Sequence, residues 1–204
     1  MALNVDGVRL TATPWDVDAV LEGRWIRLRP VRPDDLGRLH QLAMNEQIVN
    51  RWRTNGLIAD PRRFAEMVLD GAELNVVIEE RPGGRMLGLA QCYGTDLRHG
   101  HSYVAVMADP EWHKTPQLGE GILLLVRHAF TALPIHKLCA EIPEYNWPDM
   151  LNDDGELRGF TREGTLRSHV YLAGRRWDVA LFALSRDDYE ADWARRLPRS
   201  KRDA

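Results

Sequence analysis

Apolar positions recur along this chain with two distinct periods, and the changes between them mark its elements. Trp25-Ile26-Arg27-Leu28-Arg29 alternates apolar and basic residues, which predicts a strand. Pro33 then opens a helix, where a missing N–H costs nothing, and Asp34 and Asp35 occupy a first turn facing the positive end of the dipole. Leu36, Leu39 and Ala43 supply its stripe, and Ile48, Val49 and Trp52 predict a second short helix. Asp60-Pro61 is a cap and first-position pair, Phe64 and Val68 follow at helical spacing, and Gly71 is a stop.

From residue 74 the period shortens to that of strands. Leu74 to Glu79 and Met86 to Tyr93 flank the hairpin signal Pro82-Gly83-Gly84, and Tyr103 to Ala108 ends at Asp109-Pro110. Leu118, Ile122, Leu125 and Ala129 lie on one face of a helix running to about Ala132. Pro134 stops it, His136 to Ile142 reads as a buried strand, and Asn146 to Gly159 as mostly loop. Leu166 to Leu172 and Trp177 to Leu184 are two strands joined around Gly174, and Val8 to Thr13 alternates like an edge strand ahead of the main body. This order predicts a mixed sheet with helices on its faces, an α/β (α+β) fold.

Composition narrows the class without naming a chemistry. The 204 residues suit one domain, and a chain that is 44% hydrophobic and 28% charged can bury a sizeable core. A net charge of −3 argues against a nucleic-acid binder with a basic surface, and the Arg/Lys run from Arg195 to Arg202 reads as a solvated tail. No apolar run approaches the roughly 20 residues of a membrane helix, and the first residues lack the features of a secretory signal. Cys92 and Cys139 stand far apart in strand-like surroundings, which suits buried thiols in a cytoplasmic protein. The boundaries expected are an extension over 1–23, a domain over 24–193 and a basic tail over 194–204.

The element order and the residues at its joints resemble the GNAT superfamily of acyl-CoA-dependent N-acyltransferases, and within it the RimJ/RimL-type branch. The matching pieces are Ile26 to Pro30 with Arg32 to Leu36, Gly83-Gly84 with Leu87-Gly88, Asp109-Pro110-Glu111-Trp112, Glu120 with Ala129-Phe130, and Gly159 to Arg167 with Gly174-Arg175, Asp178 and Trp193. The resemblance implies a mostly antiparallel mixed sheet splayed between the strand at Tyr103–Ala108 (the fourth) and that at His136–Ile142 (the fifth). Acetyl-CoA would lie in the opening as co-substrate. Backbone groups at Val106, Met107 and Ala108 would hold the acyl carbonyl, while His113, Lys114, Thr115, Gln117, Leu118, Gly119 and Asn146 would take the CoA. A helix start offers unpaired N–H groups and a favourable dipole to phosphate oxygens. Dimers are common in the family.

Two segments depart from the family pattern. Its phosphate loop reads Arg/Gln-x-x-Gly-x-Gly/Ala, whereas counting back from Ala129-Phe130 gives His113-Lys114-Thr115-Pro116-Gln117-Leu118, without glycine and with one N–H removed by Pro116. Gly119 and Gly121 fit only a displaced register that shortens the following helix by about a turn. Lys114 and His113 either supply charge to a pyrophosphate or are a solvated lysine and a turn histidine. After the fifth strand, Asn146 and Gly159-Phe160 fit, but the stretch between is about two residues longer than usual. Asp149 replaces the expected hydroxyl, and Tyr145 is either the nearby hydroxyl able to protonate a thiolate or a strand-end aromatic packed on the core.

His101 and Tyr103 begin the fourth strand and are candidates for removing the amine's proton, against the reading of Arg98-His99-Gly100-His101 as a remote turn. The resemblance puts Arg51, Trp52 and Arg53 where the family's first helices line the acceptor pocket, and Trp52 either walls a substrate there or is a core or surface aromatic. His99 and His101 lack partners at ligand spacing, so no metal site is expected. The function expected is acetyl transfer from acetyl-CoA to a primary amine of a small molecule or a protein N-terminus. The alternative is a GNAT-like protein without ordinary CoA-dependent acetylation, acting as a binding or regulatory module or using an aminoacyl-tRNA or carrier-protein thioester.

Overall fold

A computed structural model describes residues 21–193. Within them an eight-stranded sheet forms, in the order β1-β2-β3-β4-β5-β6-β8-β7. Its strands are β1 (Leu21–Glu22), β2 (Ile26–Pro30), β3 (Ala72–Glu80), β4 (Met86–Asp96), β5 (His101–Ala108), β6 (Lys137–Pro143), β7 (Thr161–Leu172) and β8 (Arg175–Ser185). Neighbours run antiparallel except β5 and β6, which pair in parallel through His101↔Lys137, Ser102↔Leu138 and Tyr103↔Cys139. Beyond Tyr103 and Cys139 these two strands have no further register, so the sheet forks there. An edge strand does precede the main body, at Leu21–Glu22 inside the segment read as an extension. The expected strand at Val8–Thr13 and the tail over 194–204 lie outside the described residues.

The helices cover opposite faces, as the amphipathic patterns require. Helix α3 (Pro116–Ala132) lies over Ile26, Leu28, Ile78, Leu138, Ala140 and Phe182 and forms the larger core. Gly121 lets it approach: a Cβ there would stand 2.8 Å from Ile78 Cγ2. Helices α1 (Asp35–Ala43) and α2 (Pro61–Leu69) bury Leu39, Leu42, Phe64 and Val68 with Leu89 and Met107 against the other face. Asp60 caps α2 by accepting from the Arg62 and Arg63 amides.

The helix expected at Ile48–Trp52 is a run of turns. Ile48 N and Val49 N both donate to Asn45 O, and Arg51 N and Trp52 N both donate to Ile48 O. This mixture of three- and four-residue bonds does not propagate, and Thr54 Oγ1 takes Val49 O at 2.9 Å. Asp35 also departs from a plain dipole role. Its carboxylate grips Arg29 through two bonds of 2.6 and 2.8 Å and accepts from Arg32 N at 2.7 Å. Arg29 in turn donates to buried Glu79, which also holds Arg27. Glu120, expected to favour the start of α3, accepts from the amides of Arg24, Trp25 and Ile26 and so fastens β2 to that helix.

Candidate active site

The fork between β5 and β6 is the centre of the site. Asp109 N donates to Leu87 O at 2.8 Å, so by the period-two alternation the peptide groups at Met107 and Ala105 also turn to β4. Those at Val106 and Ala108 turn the other way, into the fork. Of the three residues expected to hold an acyl carbonyl, Val106 and Ala108 therefore offer backbone groups, and Met107 buries its side chain among α1 and α2. Gly88 keeps the strands close: a Cβ there would meet Met107 O at 2.0 Å.

The connection from β5 to α3 carries the residues expected to contact CoA. Pro116 is the first helical residue and Thr115 the cap, so α3 starts in the unshifted register and Gly119 and Gly121 lie within the helix. Lys114 adopts a φ of 60°, the left-handed conformation that glycine takes most easily. Most of the loop's amides are already engaged: His113 with Pro110 O, Thr115 with Trp112 O, Leu118 with Thr115 Oγ1 and Gly119 with Thr115 O. Pro116 has none to give. The exposed Lys114 ammonium reaches across the mouth to Pro148 O at 3.4 Å and lies 3.9 Å from Asp149.

Asn146 ends the short turn that follows β6. It is buried just after β6, ahead of the single turn α4 (Trp147–Met150). Its Nδ2 donates to Arg51 O at 3.1 Å, leaving Oδ1 with no partner among the described residues. Arg51 also pairs with Asp149, so the α1–α2 connection is tied to the end of β6 twice.

The candidate catalytic groups are divided between two cavities. His101 and Tyr103 stand edge to face, 6.1 Å between ring centres, in a cleft of about 260 Å³ at the paired end of β5 and β6. Cys139 and the Lys137–Glu163 ion pair share it. Burial, with Cys139 and Glu141 adding to it, pushes the Tyr103 hydroxyl above its ordinary pKa. Tyr145 instead packs against Trp177 and lines a second cavity of about 170 Å³ with Asn50, Asn55 and Tyr171; burial raises its pKa against the nearby Arg51. Trp52 sits in the smaller core, 7% exposed, beside Phe64. Among the described residues no group of three or more His, Cys, Asp or Glu is placed to hold a metal ion, and no helix is long and apolar enough to cross a membrane.

Two polar residues at the fork, Glu141 and Gln91, are not marked as site residues by the sequence reading. Glu141 follows Lys137 and Cys139 on alternate positions of β6, opposite the buried Leu138, Ala140 and Ile142. Gln91 is fully buried on β4, and Arg53 donates to its Oε1 at 2.9 Å. The polar alternation in β6 was the available signal for Glu141; nothing in the spacing marks Gln91, which sits in an otherwise apolar strand.

A family model described as an acetyltransferase (GNAT) domain matches residues 26–149. An uncharacterized N-acetyltransferase, YokL, derived from the SPbeta prophage of Bacillus subtilis, is 23% identical over 178 residues, covering 82% of this chain and 94% of that relative. The solved structure of spermidine N-acetyltransferase from Vibrio cholerae with CoA and spermine superposes with a TM-score of 0.70 at 22% identity, covering 81% of this chain and 98% of the other. A GCN5-related N-acetyltransferase from Brucella melitensis gives 0.66 at 22% identity, over 83% and 80%. At such identities the superpositions show the shared fold.

Proposed function

Because the chain belongs to the acetyltransferase (GNAT) domain family, we propose that it moves the acetyl group of acetyl-CoA onto a primary amine of a small molecule or a protein N-terminus. The observation that carries this reading is the fork beyond Tyr103 and Cys139, with the Val106 and Ala108 peptide groups turned into it. A thioester carbonyl seated there meets backbone N–H donors in the position where negative charge grows during attack. The joints quoted above are the support for a RimJ/RimL-like branch.

In the reaction a nitrogen–carbon bond forms as the carbon–sulfur bond breaks; the amine loses a proton and the leaving thiolate gains one. Glu141, beyond the last β5–β6 pair and on the Tyr103 face, is the carboxylate we assign to the amine's proton. Tyr103 stands on the same face at the last β5–β6 pair, and its phenol, protonated at neutral pH as any tyrosine is, suits donation to the thiolate. Lys114 gives the coenzyme's phosphates a positive charge, and the buried Asn146 holds the Arg51 backbone against the end of β6, where the donor's arm would pass. The polyamine bound by the Vibrio cholerae relative is one small-molecule amine of the proposed class.

A second reading concerns the donor. With four of the amides over 113–119 engaged and Pro116 lacking one, the loop favours a thioester held mainly by its pantetheine arm, such as one on a carrier protein. Incubating the protein with acetyl-CoA or acetyl-pantetheine and a panel of primary amines tests both. Thiol release matched by acetylated amine is expected. A preference for acetyl-CoA assigns a role to the nucleotide, equal rates assign none, and no transfer from either donor contradicts the proposal.

A further inference from the structure

A half-buried guanidinium stands beside the fork without a counter-charge. Arg53, on the connection between α1 and α2, forms no ion pair among the described residues. Its Nη1 donates to Gln91 Oε1, and its Cζ lies over the Tyr93 ring, 3.9 Å from the ring centre. Gln91 is itself fixed: its Nε2 donates to Val68 O at 3.1 Å and to Asn75 Oδ1. Burial holds the Arg53 pKa below its ordinary value, as expected of a cation removed from water and left uncompensated.

A cation drawn partly out of water gains from an anion that supplies the missing counter-charge. One face of Arg53 is taken by Tyr93 and one terminal nitrogen by Gln91, which leaves the Nε–Nη2 edge. That edge presents two parallel N–H donors, the geometry that matches the two oxygens of a carboxylate. Tyr93 lies 5.7 Å, ring centre to ring centre, from Tyr103, the last residue of β5 paired before the fork. Glu141, on the same face of β6 as Cys139, acts electrostatically on both tyrosines. A cation, a carboxylate and two aromatic rings thus share the face opposite α3.

We propose that Arg53 anchors a carboxylate of the acceptor, so that the amine acetylated belongs to a molecule that also carries an acid group. The proposal rests on the acetyltransferase reading for the word acceptor, but the anchoring itself is measurable without any donor. Arg53 here is a specificity residue, held by Gln91 and Tyr93 and remote from the bonds that change.

Calorimetry on the full chain, with no CoA present, compares N-acetyl-4-aminobutyrate with N-acetylbutylamine, which share a chain and differ by the carboxylate. The protein is expected to bind the acid on the order of tenfold to a hundredfold more tightly, the range of a charge-assisted contact. R53Q removes that preference, R53K keeps part of it, and the exposed control R62Q leaves it intact. With the free amines and acetyl-CoA, R53Q raises KM for 4-aminobutyrate and leaves that for butylamine in place. Equal binding of the two probes by the unaltered protein, or a preference that survives R53Q, overturns the proposal. Carboxylate preference without any acetyl transfer keeps the anchor and removes the transferase reading; transfer without preference does the reverse.

Discussion

Thr115 caps the first turn of α3 by accepting from the Leu118 amide, Oγ1 to N at 3.3 Å, while its own hydroxyl donates to Trp112 O at 2.7 Å. The helix start proposed to face the coenzyme's diphosphate therefore has its Leu118 amide engaged from within. Replacing Thr115 by alanine removes this cap and is expected to cost about 1 kcal/mol of stability, read from urea unfolding. It also frees the Leu118 amide, so CoA affinity should hold or rise. A loss of affinity larger than the loss of stability would mean that the hydroxyl itself contacts the coenzyme.

Lys114 combines a left-handed backbone with the charge proposed to face the phosphates. Lys114→Gly keeps the conformation and removes the charge. Unfolding stability should stay level or increase, while CoA binding weakens by about two- to fivefold, the size of one exposed ionic contact. Raising the salt concentration should shrink the difference between the two proteins. Unchanged affinity would assign Lys114 to its Asp149 contact alone.

The Arg29–Asp35–Glu79 cluster beneath α1 predicts an acid limb of stability. Burial works to raise the Asp35 pKa, but the bonds from Arg29 and the Arg32 amide outweigh it and hold the carboxyl below its ordinary 3.8. A depressed folded pKa means that its contribution is complete above about pH 4 and is lost as pH falls through the lower, folded value. Asp35→Asn should cost about 3–5 kcal/mol at neutral pH, because Arg29 is left buried and under-paired. It should also flatten the dependence below pH 4. An unaltered acid slope in urea titrations would place the acid sensitivity elsewhere.

The two thiols should differ in reactivity. Cys92 is fully buried, and burial pushes its pKa up to about 12, so it should resist iodoacetamide in the native protein. Cys139 is half-buried in the cleft beside Tyr103 and should react slowly, its pKa raised by burial more than Lys137 lowers it. Peptide mapping by mass spectrometry reads both. Labelling at Cys92 ahead of Cys139 would contradict the packing of β4 against α3.

The residues that made the sheet legible in the sequence are those whose period reflects a single buried face. Leu118, Ile122, Leu125 and Ala129 marked α3, and Pro116 and Pro134 bounded it within a few residues. The helical spacing of Ile48, Val49 and Trp52 predicts a short helix, yet Asn45 and Ile48 each accept two amides and the segment turns repeatedly. Of the site, the strand ends and the α3 junction followed from the chain's punctuation. The grouping of Arg53, Gln91, Tyr93, Tyr103 and Glu141 did not, because it depends on which strands neighbour one another and on where two of them part. Asn146 was legible by position; that its Oδ1 lacks a partner among the described residues belongs to three dimensions alone.

Calorimetric titration of the full chain with acetyl-CoA tests the central claim most directly. A donor seated in the fork between β5 and β6 predicts saturable heat with one site per chain and a micromolar dissociation constant. No heat up to millimolar acetyl-CoA, under conditions where the protein is folded, would contradict it.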